Sequence, residues 1–130
     1  MSKFNDVYFK FLGEQSKSVL KYVGIVDENG NELDYTNTIY KRQSVEWEVA
    51  EDGTMTPTKD LVFDIPGSGN EEKPIIAAGW RLYDEETGGT DFGGKDMHPK
   101  EYVTNGQYII PHDRVFVHFT NVGVSEEEIE

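Results

Sequence analysis

The sequence predicts a single all-β domain, an antiparallel β-sandwich carrying a short helix at its N-terminal end. Three observations predict it. Apolar and polar residues alternate in short runs, as in Val45, Trp47 and Val49 or Leu61, Phe63 and Ile65, which is the period of a strand with one buried face. Turn signals rich in Gly, Asn, Asp and Pro separate these runs roughly every 8–15 residues. No long helical pattern lies between them, which argues against a parallel sheet with crossover helices. An Ig-like or a jelly-roll-like arrangement satisfies the pattern equally well.

The elements follow in order. Residues 4–12, FNDVYFKFL, fit a helix through Phe4, Val7, Tyr8, Phe11 and Leu12, and a strand through Val7, Phe9 and Phe11. The helix is preferred, and Gly13 ends it. Residues 19–26 are apolar and β-branched on both faces, as a strand covered on two sides is. Asn29-Gly30 supplies the next turn. Residues 38–49 read as one strand, in which Arg42 and Ser44 point to one face while Lys41 and Gln43 point to the other, Gln43 on the side of Trp47. Residues 50–53 turn the chain, and Pro57 keeps the next segment irregular. Leu61, Phe63 and Ile65 form an inward face closed by Pro66, and GSGNEEKP is a plain loop.

In the next strand Ile76, Ala78, Trp80 and Leu82 alternate with Ala77, Gly79, Arg81 and Tyr83. Residues 84–100, with Gly88, Gly89, Gly93 and Gly94 among Asp and Thr, predict a long exposed loop. Residues 101–103, the Asn105-Gly106 turn and residues 107–110 predict a strand-turn-strand passage. Residues 114–120 predict the last strand, with Val115, Val117 and Phe119 on one face, and SEEEIE is an acidic tail. The domain organisation is thus an N-terminal segment (1–18) that forms a short helix or an anchor, a sandwich (19–121) and a tail (122–130).

The 130-residue chain is long enough to bury one core, and its 12% aromatic content compensates for a hydrophobic share of only 36%. A disordered chain would lack these aromatics. Twelve Lys and Arg against twenty-five Asp and Glu give a formal net charge of -13. Such a surface repels nucleic-acid phosphates and anionic membranes and suits a basic partner. Without cysteine there are no disulfides, thiolate metal sites or cysteine nucleophiles. The opening MSKFNDVYFKFLGEQ lacks the apolar run of a secretion signal, and no stretch approaches the ~18 apolar residues of a membrane span. The expectation is a soluble chain made in the cytoplasm, with neither nucleic acid nor membrane among its partners.

Chemistry-bearing patterns are sparse. His112 and His118 share a strand parity, but six extended residues separate them by ~20 Å, too far for one metal ion. His98 has no ligand spacing to either. Asp27 to Asp34 looks like a calcium loop, yet the positions that need glycine and a final glutamate hold Glu32 and Thr38. No Gly-x-Ser-x-Gly elbow and no phosphate loop occurs, and Asp91 and Asp96 beside the glycine pairs would repel phosphate. The sequence therefore predicts no enzyme, no metal and no cofactor. Trp47 and Trp80 lie in phase with aliphatic neighbours and belong to the core. Arg42 pairs with an acid and Gln43 satisfies backbone groups at the rim, so Arg42, Gln43, Trp47, Phe63 and Trp80 are framework. Tyr83, Phe92 and Tyr102 are read as surface-facing, and the contact loop they flank contains Thr87, Gly88, Gly89, Gly93 and Gly94.

The order of the motifs carries more than any one of them. "YKRQSVEWEVAEDGTM", "LVFDIP", "AAGWRLYDEETGGTDFGG" and "YVTNGQYIIPHDRVFV" together resemble a family of small bacteriophage structural proteins of the tail-fibre-like, minor tail and head-decoration kind. Tyr40, Arg42, Gln43, Val45 and Trp47 match the first element, and Phe63 and Pro66 the second. Gly79, Leu82, Asp84, Thr87, Gly88, Gly89, Gly93 and Gly94 match the third. Asn105, Gly106, Ile110 and Pro111 match the fourth. The resemblance spans about residues 19–120; the GSGNEEKP loop and the acidic character depart from the pattern. It implies a non-enzymatic β-sandwich located on the virion, partnered by capsid or tail proteins, and assembled as a homo-oligomer such as a trimer. The alternative expectation is a carbohydrate-binding or adhesion module, which requires an exposed aromatic platform.

Overall fold

Two runs are apolar on both faces, and they occupy the middle of the main sheet. In a computed structural model that describes residues 4–118, β1 (Tyr22–Val26) and β6 (Ile75–Tyr83) pair antiparallel along the whole of β1, Tyr22 opposite Tyr83 and Val26 opposite Gly79. β2 (Gln43–Ser44) adds to the free edge of β1, and β7 (Asp91–Tyr102) to the free edge of β6, giving the order β2-β1-β6-β7. Central strands need cover on two sides, and Val23 to Val26 are all buried. Val23, Ile25, Trp80 and Leu82 face the core.

The second layer consists of two ribbons. β5 (Leu61–Ile65) pairs with β8 (Gly106–Ile110) over its full length, and β3 (Trp47–Val49) pairs with β4 (Met55–Pro57). Leu61, Phe63, Ile65, Tyr108 and Ile110 point inward with Trp47 and Met55 into the same core. The all-β antiparallel fold with one short N-terminal helix is therefore present, and Trp47, Phe63 and Trp80 are buried framework residues as expected.

The tryptophans differ in one respect. Trp47 Nε1 donates to the Leu20 carbonyl at 2.6 Å, whereas Trp80 Nε1 is the one buried side-chain polar atom without a partner among the described residues. Trp47→Phe is expected to cost about 2–3 kcal/mol and Trp80→Phe about 1 kcal/mol less, because only the first orphans a buried carbonyl. Urea denaturation midpoints check the difference; equal losses would refute it.

Several local expectations change. Gly13 does not stop α1 (Asp6–Ser16), which Asn5 caps by accepting from the Tyr8 N–H at 3.2 Å. The glycine is needed for close approach: a Cβ there would lie 2.7 Å from the Gly53 carbonyl oxygen and 2.8 Å from Val49 Cγ1. Residues 38–49 are not one strand. β2 pairs with β1 and β3 with β4, so the chain changes partner strand after Ser44; Arg42 is buried on the Tyr83 face of the main sheet, while Val45 and Trp47 are buried in the core. Gln43 stands opposite Val23 and so lies on the Trp47 side as expected, its amide donating to the Lys41 carbonyl at 3.2 Å. Pro57 does not leave its segment irregular but closes β4 opposite Trp47.

The long loop expected at residues 84–100 is confined to residues 84–90, because β7 begins at Asp91 and pairs with β6 to its end through two register shifts. A glycine pair, a proline and many charged residues disguised that strand, which is exposed along most of its length. The strands on either side of Asn105-Gly106 exist, but β7 pairs with β6 and β8 with β5, so the turn passes between layers. The expected last strand is a 3-10 turn (His112–Arg114) followed by a single bridge from Val117 to Met55. Phe119, Thr120 and the acidic tail lie outside the described residues.

His112 holds that 3-10 turn against the start of β5, its Nδ1 at 2.8 Å from Asp60 Oδ1. The hydrogen bond to Asp60 raises the imidazole pKa, and the same bond lowers that of the carboxyl. The His112 contribution is complete below the ordinary imidazole value of about 6.5 and is lost as pH rises through the raised one. The Asp60 contribution is present above the ordinary carboxylate range and is lost as pH falls through the lowered value. An NMR titration is expected to place the His112 midpoint above about 6.5, and Asp60→Asn to bring it down. An unchanged midpoint in the variant would contradict the pairing.

Candidate functional site

The side chain that organises the surface is Arg42. It is the one buried charged residue among those described, with its side chain only 3% exposed. Its guanidinium grips Glu32 with two bonds, Nε to Oε2 at 2.9 Å and Nη2 to Oε1 at 2.7 Å. Nη1 donates to two backbone carbonyls of the glycine loop, Glu85 at 2.9 Å and Gly88 at 2.7 Å. The flat face of the group lies 3.6 Å from the centroid of the Tyr83 ring, with Tyr35 on the network at 5.2 Å.

Tyr40 and Tyr35 complete the arrangement. β2 covers β1 only at Tyr22 and Val23, so the next donor on that edge, the Ile25 N–H, goes to the Tyr40 hydroxyl at 2.8 Å. That hydroxyl donates in turn to Glu32 Oε2 at 2.8 Å. The Tyr35 hydroxyl accepts from the Gly88 N–H at 2.9 Å. Asp84 Oδ1 accepts from the Thr90 N–H at 2.8 Å and closes the loop on itself. The loop is therefore tied to the sheet at Glu85 and Gly88 and closed at its base.

Electrostatics follow from burial. Desolvation pulls the Arg42 pKa down, but the bonds and charge of Glu32 push it up by more, so the guanidinium stays charged. Burial and the nearby Glu32 charge push the Tyr83 phenol up to about 12. The same two causes raise Tyr40 well above the ordinary phenol range. The Tyr40 and Tyr83 hydroxyls therefore stay protonated at neutral pH, and that of Tyr40 remains both donor and acceptor within the network.

The predicted contact residues divide into two groups. Thr87, Gly88 and Gly89 are exposed on the tied loop, next to the exposed carboxylates of Glu85 and Glu86. Phe92 is 47% exposed at the start of β7, and Gly93 and Gly94 follow it in that strand. Tyr83 and Tyr102 are not surface-facing: each is 5% exposed. Tyr83 lies beneath Arg42, and the Tyr102 hydroxyl donates to the Gln107 carbonyl at 2.9 Å, joining β7 to β8. Both stand at the ends of long strands, and Lys100 lies 5.3 Å from the centroid of the Tyr102 ring.

Sequence reasoning foresaw an acid for Arg42 but missed Glu32, Tyr35 and Tyr40 as its companions. The one available signal is that a lone arginine between two tyrosine-containing segments needs a carboxylate, and twenty-five acids offer one. The chemistry of the cluster is positional. Four guanidinium N–H groups are already engaged, and the Tyr40 hydroxyl both donates and accepts. Among the described residues no group of three or more His, Asp or Glu is placed to hold a metal ion.

The two loop glycines can be told apart. Both have positive φ, 63° at Gly88 and 71° at Gly89. A Cβ at Gly88 enters open space, whereas at Gly89 it meets Asp84 Oδ1 and lies 2.8 Å from Glu85 Cβ. Gly88→Ala is expected to cost about 1 kcal/mol of backbone strain. Gly89→Ala is expected to cost about 2 kcal/mol and to break the Asp84 cap of Thr90. Denaturation midpoints and the Thr90 amide exchange rate check the pair; equal losses would show that the crowding at Gly89 is relieved.

Comparison of the chain with protein-family models, with curated proteins and with solved structures finds no match.

Proposed function

We propose that the chain is an accessory structural protein of a bacteriophage particle, binding other virion proteins on the capsid exterior or at the tail without catalysing a reaction. The observation that carries the reading is the exposed acidic loop of residues 84–90, held at two backbone carbonyls by a buried arginine. A loop ordered before contact loses little conformational freedom on binding, which suits a small protein that recognises a larger shell. The four ordered motifs that resemble small phage structural proteins supply the biological setting, and the net charge of -13 suits a basic docking surface.

The carbohydrate-binding alternative loses its two tryptophans, which are 6% and 4% exposed. Particles purified away from free protein are expected to contain the chain in a fixed ratio to the main shell or tail protein. Reversing the loop charge with Glu85→Lys and Glu86→Lys is expected to lower that ratio at least about tenfold. Absence of the unaltered chain from particles would overturn the proposal.

A further inference from the structure

Helix α1 is apolar on two sides, and the larger side faces solvent. Phe9 and Gly13 turn inward and are buried. Phe4, Val7, Tyr8 and Phe11 recur at i, i+3, i+4 and i+7 on another side, with exposures of 55%, 79%, 39% and 55%. Phe4 stacks on Tyr8 at 4.6 Å and Tyr8 on Phe11 at 6.4 Å, so the side chains form one continuous ridge. A helix of a free-standing domain turns its apolar stripe to its own core. A ridge of this kind marks an interaction surface.

A matching groove runs along the neighbouring flank of the same helix. It has a volume of about 420 Å³ and is lined by Leu12, Val19, Leu20, Leu82, Phe92 and Val117, with Gln15 and Ser16 as its polar edge. Val19 and Phe92 are 39% and 47% exposed. No charged side chain lines the groove, so an apolar ridge can enter it without desolvating an ion.

We propose that two copies of this chain pair about a two-fold axis, the Val7–Phe11 ridge of each entering the Leu12–Val19–Phe92 groove of the other. Because ridge and groove lie on adjacent flanks of one helix, a two-fold operation forms both contacts at once. The areas agree with this occupant. Four partly exposed side chains contribute roughly 400 Å² per ridge, and two ridges with two matching grooves give on the order of 1,600 Å², the size of a standard specific interface. The inference deepens the assembly reading of the preceding section and rests on it only for the biological setting.

Like charge sets the sign of the salt response. Two copies each carrying -13 repel, so added salt is expected to tighten the pair, whereas a basic partner would be released by it. Sedimentation velocity of the purified full chain over a concentration series, at low and high salt, is the test. The expected result is a monomer–dimer equilibrium that tightens with salt. Val7→Ser with Phe11→Ser, and separately Val19→Asn with Phe92→Ser, are each expected to weaken dimerisation at least about tenfold. A mixture of the two double variants is expected to form more dimer than either alone, because one intact ridge then meets one intact groove. A chain monomeric under all conditions, variants that dimerise like the original, or a mixture no better than its components would each overturn the proposal. Presence of a monomeric chain in particles would leave the virion reading standing without this interface. A dimer absent from particles would do the reverse.

Discussion

Arg42→Met is expected to destabilise the fold by about 3–5 kcal/mol, the largest loss at any single polar side chain of this protein. The substitution removes one partner of a buried ion pair and leaves the other in place. Glu32, whose side chain is 14% exposed, would keep its charge with only the Tyr40 hydroxyl against it. The carbonyls of Glu85 and Gly88 would lose the donor that ties them down. Breaking such a pair costs more than the pair itself contributes, because the remaining charge has no water to take its partner's place.

The companion variants separate the parts. Arg42→Lys keeps the charge but cannot bond Glu32 through two atoms and reach two carbonyls as well, so about half the loss is expected. Glu32→Gln with Arg42→Met is expected to lose less than the sum of the single changes, since each removes the same interaction. Urea denaturation gives the energies, and amide exchange at Gly88 reports the loop. A loss below about 1 kcal/mol for Arg42→Met would show that the pair is solvated and that the loop is held by something else.

Gly53→Ala is expected to cost about 3 kcal/mol and to release α1 while the main sheet stays folded. Gly53 turns the β3–β4 hairpin with φ of 86°, donating its N–H to the Ala50 carbonyl at 2.9 Å. An added Cβ would enter the backbone carbonyl group of Phe9, and the Gly53 carbonyl in turn sits where a side chain at Gly13 would be. The helix thus rests on the hairpin backbone to backbone, with Phe9 as its main buried side chain. Left-handed strain contributes about 1–2 kcal/mol and forced separation of the two backbones the rest. Exchange protection is expected to fall across residues 6–16 and to persist in β1 and β6. Unchanged protection in the helix would mean that it is anchored elsewhere.

Much of the core was legible because alternation reports burial directly. Leu61, Phe63 and Ile65 face inward as their spacing requires, and both tryptophans follow their aliphatic neighbours. The run at residues 19–26, apolar on both faces, became a central strand. β7 escaped notice because its residues are mostly exposed, so neither face carries an apolar period. Tyr83 and Tyr102 were misplaced because a tyrosine at a strand end has no neighbour whose period shows which way it turns. After Ser44 the chain changes partner strand from β1 to β4, and a single alternating run cannot show such a change.

By itself the sequence determined the all-β class, the helix at the N-terminal end, the inward faces of β3 and β5, and the buried place of Trp47, Phe63 and Trp80. Those properties depend on the spacing of residue types along one segment. Tertiary structure alone decided that Glu32 is the acid held by Arg42, that the arginine ties down the glycine loop, and that α1 turns its larger apolar side outward. Each of these is a choice among distant segments. It is settled by which backbones can approach and which buried charges can be satisfied together, and no local period carries that information.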